Sequence, residues 1–359
     1  MTTYIAKTFS GLEEVLEEEL KAIGAENTER LKRAVKFQGD KSMLYKSNVY
    51  SRTALKILVP LKNFEAKSEK ALYDAVYAYE WEKLFNLYNT FLIDGVVNSD
   101  FFRHSQYASL KTKDAIADRF RDKYNKRPSV DKQNPDFRIN LHISKAQCTL
   151  SLDSSGESLH KRGYKTKNVK APLNEVLAAG LIMLSGWNKK GPFIDPMCGS
   201  GTLPIEAALI ANEIPPGIYR EHFGFENWHD FDPALFRSIK NQFRAKTNSK
   251  VKIHGCDISD EAIETTLKNL EKSNLSKNVE LFEQSIAEYE PPSEKNGTVI
   301  INPPYNYKMK EKDILAFYQN IGNILKKKYT GYEVWIFSQN KRALKKVGLH
   351  ATNKMNLYN

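Results

Sequence analysis

Cysteine is scarce, with only Cys148, Cys198 and Cys256 in 359 residues. None stands in a Cys-x-x-Cys or Cys/His ligand spacing, which argues against a disulfide framework and a zinc site. Long apolar runs are also missing. The longest, Val176 to Leu184, is far shorter than the roughly 20 residues that a membrane-crossing helix needs. No signal-peptide pattern is visible before Ser10 and the Glu-rich segment that follows it, so a cytoplasmic protein is the simple expectation. Acid is short relative to base: 43 Asp and Glu against 54 Lys and Arg, a net charge of +11. The excess is uneven. Residues 1–170 carry 30 cations against 22 acids, and the remainder 24 against 21. A basic front half suggests a polyanionic partner held beside whatever site the second half carries. A hydrophobic content of 41% suffices for packed cores, and the length favours two or three domains.

Against that background one stretch stands out, Phe193-Ile194-Asp195-Pro196-Met197-Cys198-Gly199-Ser200-Gly201-Thr202. An apolar run meets a tight glycine-containing turn, and helix formers follow from Leu203 to Ala211. Such a turn lets backbone N–H groups approach a ligand closely at a helix start. It lacks the third glycine of a dinucleotide fingerprint and the Gly-Lys-Ser/Thr of a P-loop. A second apolar strand, Val299-Ile300-Ile301, ends in Asn302-Pro303-Pro304-Tyr305, and the prolines stop it there. In an open α/β sheet both loops would face one crevice at the carboxyl ends of the strands. The pair, in this order, resembles the S-adenosylmethionine-dependent methyltransferases that act on exocyclic amines of bases. That resemblance implies a Rossmann-like class I methyltransferase domain.

The candidate cofactor residues are Asp195, Pro196, Cys198, Gly199, Ser200, Gly201 and Thr202 of the first loop. Asp257 and Ile258 follow, because an acid ending the second strand accepts hydrogen bonds from ribose hydroxyls. Ser285 stands where the family often places an Asp facing adenine. Asn302, Pro303, Pro304 and Tyr305 are the catalytic candidates. A guanine N2 or adenine N6 amine has its lone pair delocalised into the ring. The Asn302 side-chain oxygen and the Pro303 carbonyl can each accept one amine N–H and localise that pair, which is positioning plus electrostatics. Tyr305 offers a stacking face for a base taken out of its helix. Where related guanine-N2 enzymes often have Gly and Arg after this motif, Asn306, Tyr307 and Lys308 follow.

The front half reads as α+β. A strand is expected over 4–8, then a helix capped by Ser10 with Glu13 completing a capping box, and ended by Gly24. Strands near Ala34–Phe37 and Leu55–Leu61 flank a helix over Lys41–Tyr50. Residues 1–64 thus form a ferredoxin-like unit. A helix over Ser68–Trp81, a strand over Thr90–Val97, a long basic helix from Ser109 to Lys123 and strands over Phe137–Ile143 and Ala146–Asp153 come next. With the Phe102–His104 loop, Asn134-Pro135-Asp136 and Leu159-His160-Lys161-Arg162-Gly163-Tyr164, this portion resembles the THUMP RNA-binding domain, with its boundary over 45–155 overlapping the first unit. The resemblance makes Arg103, Lys111, Lys113, Arg119, Lys123, Arg162 and Lys165 candidate RNA contacts.

A basic linker is read over 156–170 and the methyltransferase domain over 171–359, with an aromatic-rich insertion over 213–248. His222 and His229 in the insertion lack ligand spacing and read as packing or substrate-side groups. Only the first half of a closing antiparallel hairpin is visible before Asn359. Taken together, the likeness is to the 23S rRNA guanine-N2 methyltransferase family: S-adenosylmethionine as cofactor and large-subunit rRNA as partner. The alternatives are a tRNA guanine-N2 enzyme, a DNA adenine-N6 enzyme, or a non-catalytic RNA-binding ribosome assembly factor.

Overall fold

The computed structural model describes residues 1–166, 172–242, 249–294, 296–303 and 311–358. The chain divides into two compact units, Met1–Leu159 with Arg220–Gln242, and His160–Tyr219 with Phe243–Asn359.

The first unit is built on one eight-stranded sheet. Its elements are β1 (Thr2–Lys7), α1 (Glu13–Ala22), β2 (Glu26–Leu31), β3 (Ala34–Gly39), α2 (Lys41–Tyr50), β4 (Lys56–Glu65), α3 (Glu69–Tyr77), β5 (Thr90–Asn98), α4 (Ser105–Tyr124), β6 (Ser129–Val130), β7 (Phe137–Ser144) and β8 (Gln147–Asp153). The strand order is β2-β3-β1-β4-β8-β7-β5-β6. β4 is the hinge of this arrangement. Its first residues pair with β1, Ile57 opposite Ala6, and its length pairs with β8, with a register shift between Pro60 and Lys62. A proline in a central strand belongs at such an irregularity, because it has no N–H for the ladder. The overlap that the sequence leaves over 45–64 falls on α2 and on this shared strand.

Three local expectations change. α1 starts at Glu13, with Leu12 at the N-cap and no side-chain cap. Ser10 therefore does not cap it; instead Glu13 accepts the Gly11 and Arg33 backbone N–H groups at 2.7 and 2.9 Å. β2 is a strand that the sequence conceals, because Glu26–Leu31 is polar on both faces; charge of this kind suits a sheet edge. α4 begins at Ser105 rather than Ser109, whose hydroxyl donates to Ser105 O (2.9 Å) inside the helix.

The segment Arg220–Gln242 closes this unit with a 3-10 turn (Gly224–Asn227) and α7 (Pro233–Gln242). Phe225, Phe231 and Phe236 surround the Tyr45 ring of α2 at centroid distances of 4.5, 6.0 and 5.6 Å. Buried Arg220 donates to the carbonyls of Ser155, Glu157 and Ser158. Gly156, at φ +73°, meets Gly224 so closely that a Cβ on Gly224 would stand 2.8 Å from the Gly156 nitrogen. Most of the aromatic insertion is thus packing for the front unit.

The second unit carries α5 (Glu175–Leu184), β9 (Phe193–Asp195), α6 (Thr202–Ala211), β10 (Ile253–Asp257), α8 (Asp260–Lys272), β11 (Glu280–Glu283), β12 (Thr298–Ile301), α9 (Glu311–Lys328), β13 (Glu333–Ile336) and α10 (Lys341–Lys346). Five strands run parallel in the order β11-β10-β9-β12-β13. Phe193, Ile253 and Ile300 join an apolar cluster on one face, and Ile194, Cys256, Val299 and Ile301 another on the other face. Burial on both faces is why these strands read as unbroken apolar runs. Leu357, near the chain end, packs half-buried with the first cluster. Among the described residues no helix is long and apolar enough to cross a membrane.

Candidate active site

Strand order reverses beside β9, whose neighbours β10 and β12 lead to opposite halves of the sheet. The crevice at the carboxyl ends next to such a reversal is where α/β sheets hold ligands. Asp195 ends β9, Asp257 ends β10, and Asn302 follows β12 directly. Ile194 lies opposite Val299 in the β9/β12 ladder. Asn302 therefore stands two residues beyond the row that Asp195 closes, a rise of roughly 6–7 Å along a neighbouring strand.

The first loop is held in a specific shape. Cys198 N–H donates to Cys256 O (2.8 Å), and Gly201 N–H to Cys198 O (2.9 Å). Gly199 and Gly201 occupy the left-handed region at φ +53° and +79°. A Cβ on Gly201 would fall 2.3 Å from Thr266 Cγ2, so only glycine fits there. Pro196 is buried directly after the strand, and Ser200 and Thr202 are buried at the start of α6. The Thr202 hydroxyl has no hydrogen-bond partner among the described residues.

The acids divide the work. Asp257 accepts Gly199 N–H (2.9 Å) with one oxygen and Ser259 N–H (3.0 Å) with the other. A carboxylate offers about four acceptor positions, so room remains for hydroxyls of a ligand. Asp195 is 1% exposed and accepts Met197 N–H at 3.2 Å. Burial, with Asp257 adding repulsion, pushes its carboxyl up to about 8. Such a group favours a cationic ligand beside it. Ile258, next to Asp257, is 75% exposed and gives an apolar surface at the same edge. The donor set fits S-adenosylmethionine: a buried acid for its positive charge, a second acid for ribose, an exposed apolar side chain for the adenine and an unpartnered buried hydroxyl.

Ser285 lies just past β11 and is already engaged. Its N–H and hydroxyl both reach Glu288 Oε2 (3.1 and 2.8 Å), and Glu288 N–H donates back to its Oγ (3.3 Å). Asn302 is half-buried and Pro303 buried. Pro304 and Tyr305, with Asn306, Tyr307 and Lys308, lie outside the described residues.

The candidate RNA contacts separate sharply. Arg162 is 2% exposed and faces Glu206 of α6 across 3.4 Å, so it is a core residue and not a surface cation. Lys165 pairs with Glu175 of α5 at 2.9 Å. Arg119 grips Glu82 with Nε and Nη2 (2.8 and 2.7 Å) and donates to Tyr77 O; Lys123 adds a second cation to the same carboxylate (2.7 Å). These partners hold the Glu82 carboxyl far below the usual carboxylate range. Lys113 pairs with Asp114. Arg119, Arg162 and Lys165 are thus each engaged by a carboxylate of the same chain. Arg103 is exposed, and Lys111 lies 5.7 Å from the Tyr107 ring centroid. Neither has a carboxylate partner within 4 Å among the described residues. The sequence reading missed Thr266, whose hydroxyl lies 3.0 Å from Gly199 O; its signal is a polar residue on the buried stripe of an amphipathic helix. Among the described residues no group of His, Cys, Asp and Glu is arranged to hold a metal.

Three family models cover this chain: a RlmL ferredoxin-like domain over residues 3–58, a THUMP domain over 66–153, and an RMKL-like methyltransferase domain over 162–359. Among solved structures, SMU.472, assigned as a methyltransferase and crystallised with SAH, is 30% identical with a TM-score of 0.87, over 100% of this chain and 95% of that one. A Listeria monocytogenes protein described as an N6-adenine-specific DNA methylase is 28% identical with a TM-score of 0.87, over 99% and 94%. A Clostridium difficile 630 protein described as a possible methylase is 28% identical with a TM-score of 0.88, over 100% and 95%.

Proposed function

The chain belongs to the RMKL-like methyltransferase family and takes S-adenosylmethionine as cofactor, and from that premise we propose that it methylates the exocyclic N2 amine of a guanine in 23S rRNA. The cofactor, once bound, supplies a methyl already activated on a sulfonium. The protein's task is then to aim a poor nucleophile. Asn302 Oδ1 accepts one amine N–H and the Pro303 carbonyl accepts the other, so that the nitrogen lone pair is localised and directed. Pro303, directly after Asn302, fixes its own φ and so restricts the backbone that presents these acceptors. Tyr305 stacks on a base that has left its helix. Asp195 and the loop through Thr202 hold the amino-acid end of the cofactor, and Asp257 and Ile258 the nucleoside end.

The observation that supports this reading is the β9/β12 register, by which Asn302 follows its strand two residues beyond the row that Asp195 closes, on the same carboxyl edge of a parallel sheet. RNA is favoured as substrate by the THUMP domain on the same chain, and a flexible loop or bulge in rRNA is the form of guanine most easily presented.

Incubation with labelled S-adenosylmethionine and 23S rRNA, tRNA or duplex DNA, followed by nucleoside mass spectrometry, tests it. N2-methylguanosine in 23S rRNA is the expected product. The description of the Listeria neighbour favours a second reading, N6-methyladenine in DNA. Label confined to duplex DNA would establish that reading instead, label confined to tRNA would change the substrate, and no transfer with RNA still bound would leave an assembly factor.

A further inference from the structure

Thr266 and Asn269, two of the three buried polar residues of α8, stand three residues apart and so on one side of the helix. Each meets a carbonyl of the cofactor loop. Thr266 Oγ1 lies 3.0 Å from Gly199 O, and Asn269 Nδ2 donates to Ser200 O at 3.1 Å. A peptide unit is planar and trans, so a carbonyl held toward α8 turns the N–H of its own peptide away from it. Of the two N–H groups concerned, Gly201 N–H closes the loop on Cys198 O, and Ser200 N–H is turned to the side of its peptide away from α8.

The other end of the Asn269 amide is also occupied. Its Oδ1 accepts the backbone N–H and the hydroxyl of Thr166, at 2.9 and 3.0 Å. Asn269 is 1% exposed, and a buried amide with both ends engaged has one orientation only. Thr166 closes a short run, 162–166, that is fastened at four of its five residues. Arg162 and Tyr164 both reach Glu206 Oε1 in α6 (3.4 and 3.1 Å), Lys165 reaches Glu175 in α5 (2.9 Å), and Thr166 reaches α8. A plain linker needs no such fastening. This run enters the second unit immediately after Leu159, the last residue of the first unit's opening segment.

We propose that Asn269 is a positioning residue for the cofactor loop, and that Thr166 orients its amide, so that the entering segment helps to set the loop. The inference rests on the reading of residues 195–202 as the cofactor loop. Titration calorimetry of SAH into the full-length protein tests both, together with steady-state KM values for S-adenosylmethionine and RNA. Asn269→Asp retains the acceptor for Thr166 but sets a carboxylate oxygen against Ser200 O. It is expected to raise the SAH Kd and the KM for S-adenosylmethionine about tenfold or more while the KM for RNA stays within about twofold. Thr166→Val keeps the N–H bond and loses the hydroxyl, with an expected rise of about two- to fivefold that Thr166→Ser restores.

Thr166 is exposed, so its variants decide the matter if Asn269→Asp does not fold. Unchanged SAH affinity in Thr166→Val overturns the role of the entering segment, and unchanged affinity in folded Asn269→Asp overturns the inference as a whole. If the unaltered protein fails to bind SAH, or Asp257→Ala binds it as well as the unaltered protein does, the cofactor-loop reading itself falls.

Discussion

The five-stranded sheet and the eight-stranded sheet differ first in what their strands bury. β9 and β12 are buried at every position, whereas β7 and β1 alternate buried with half-buried or exposed residues. Parallel strands covered on both faces end together, and their loops gather backbone groups, acids and Asn302 on one edge. A sheet that is mainly antiparallel has no such edge, since its strands end on both sides. The first unit therefore gathers no comparable row of loop ends. Its cations show the consequence: several that cluster in sequence are already engaged by carboxylates of the same chain.

That contrast can be tested by removing charge on each side of it. The largest effect is expected from Arg162→Met, which leaves Glu206 buried without its cation and costs about 3–5 kcal/mol of stability. Urea unfolding measures this, and a variant with native stability would return Arg162 to the candidate RNA ligands. Next is Asn302→Ala, expected to lower kcat about 10²–10³-fold with SAH affinity within about twofold of the unaltered protein. Equal kcat in single-turnover assays would dissolve the parallel-edge account of catalysis. Gly201→Ala forces a Cβ against Thr266 in a left-handed backbone, and a loss of about 1–3 kcal/mol should appear as a lower Tm. The smallest effect belongs to the first unit. Arg103→Ala with Lys111→Ala should flatten the slope of log K against log salt for RNA by about 1.4, at about 0.7 for each phosphate that is no longer neutralised. Arg119→Ala should lower stability and leave that slope alone; a flattened slope would make Arg119 an RNA ligand after all.

What could be read in the sequence follows the same division. The second unit's loops were legible because their backbone demands particular residues: glycine at positive φ, proline where a strand must stop, an acid at a strand end. Its strands were legible because double-sided burial makes them continuously apolar. In the first unit β2 was hidden by its polar edge composition, and the start of α4 by a serine that bonds within the helix. The engagement of Arg119 and Arg162 could not be read, because their partners Glu82 and Glu206 are 37 and 44 residues away. The aromatic richness of residues 219–236 was plain, but its destination, Tyr45, is set by tertiary packing alone.

The Tyr45 cluster also constrains how this chain folds as it is made. Its rings arrive with Phe223 to Phe236, after β9 and α6 of the other unit have been synthesised. At about 5–20 residues per second, the stretch from Leu159 to Gln242 takes roughly 4–16 s. During that interval the front sheet has every strand but lacks the cover for α2, and an uncovered aromatic surface on a nascent chain is what chaperones bind.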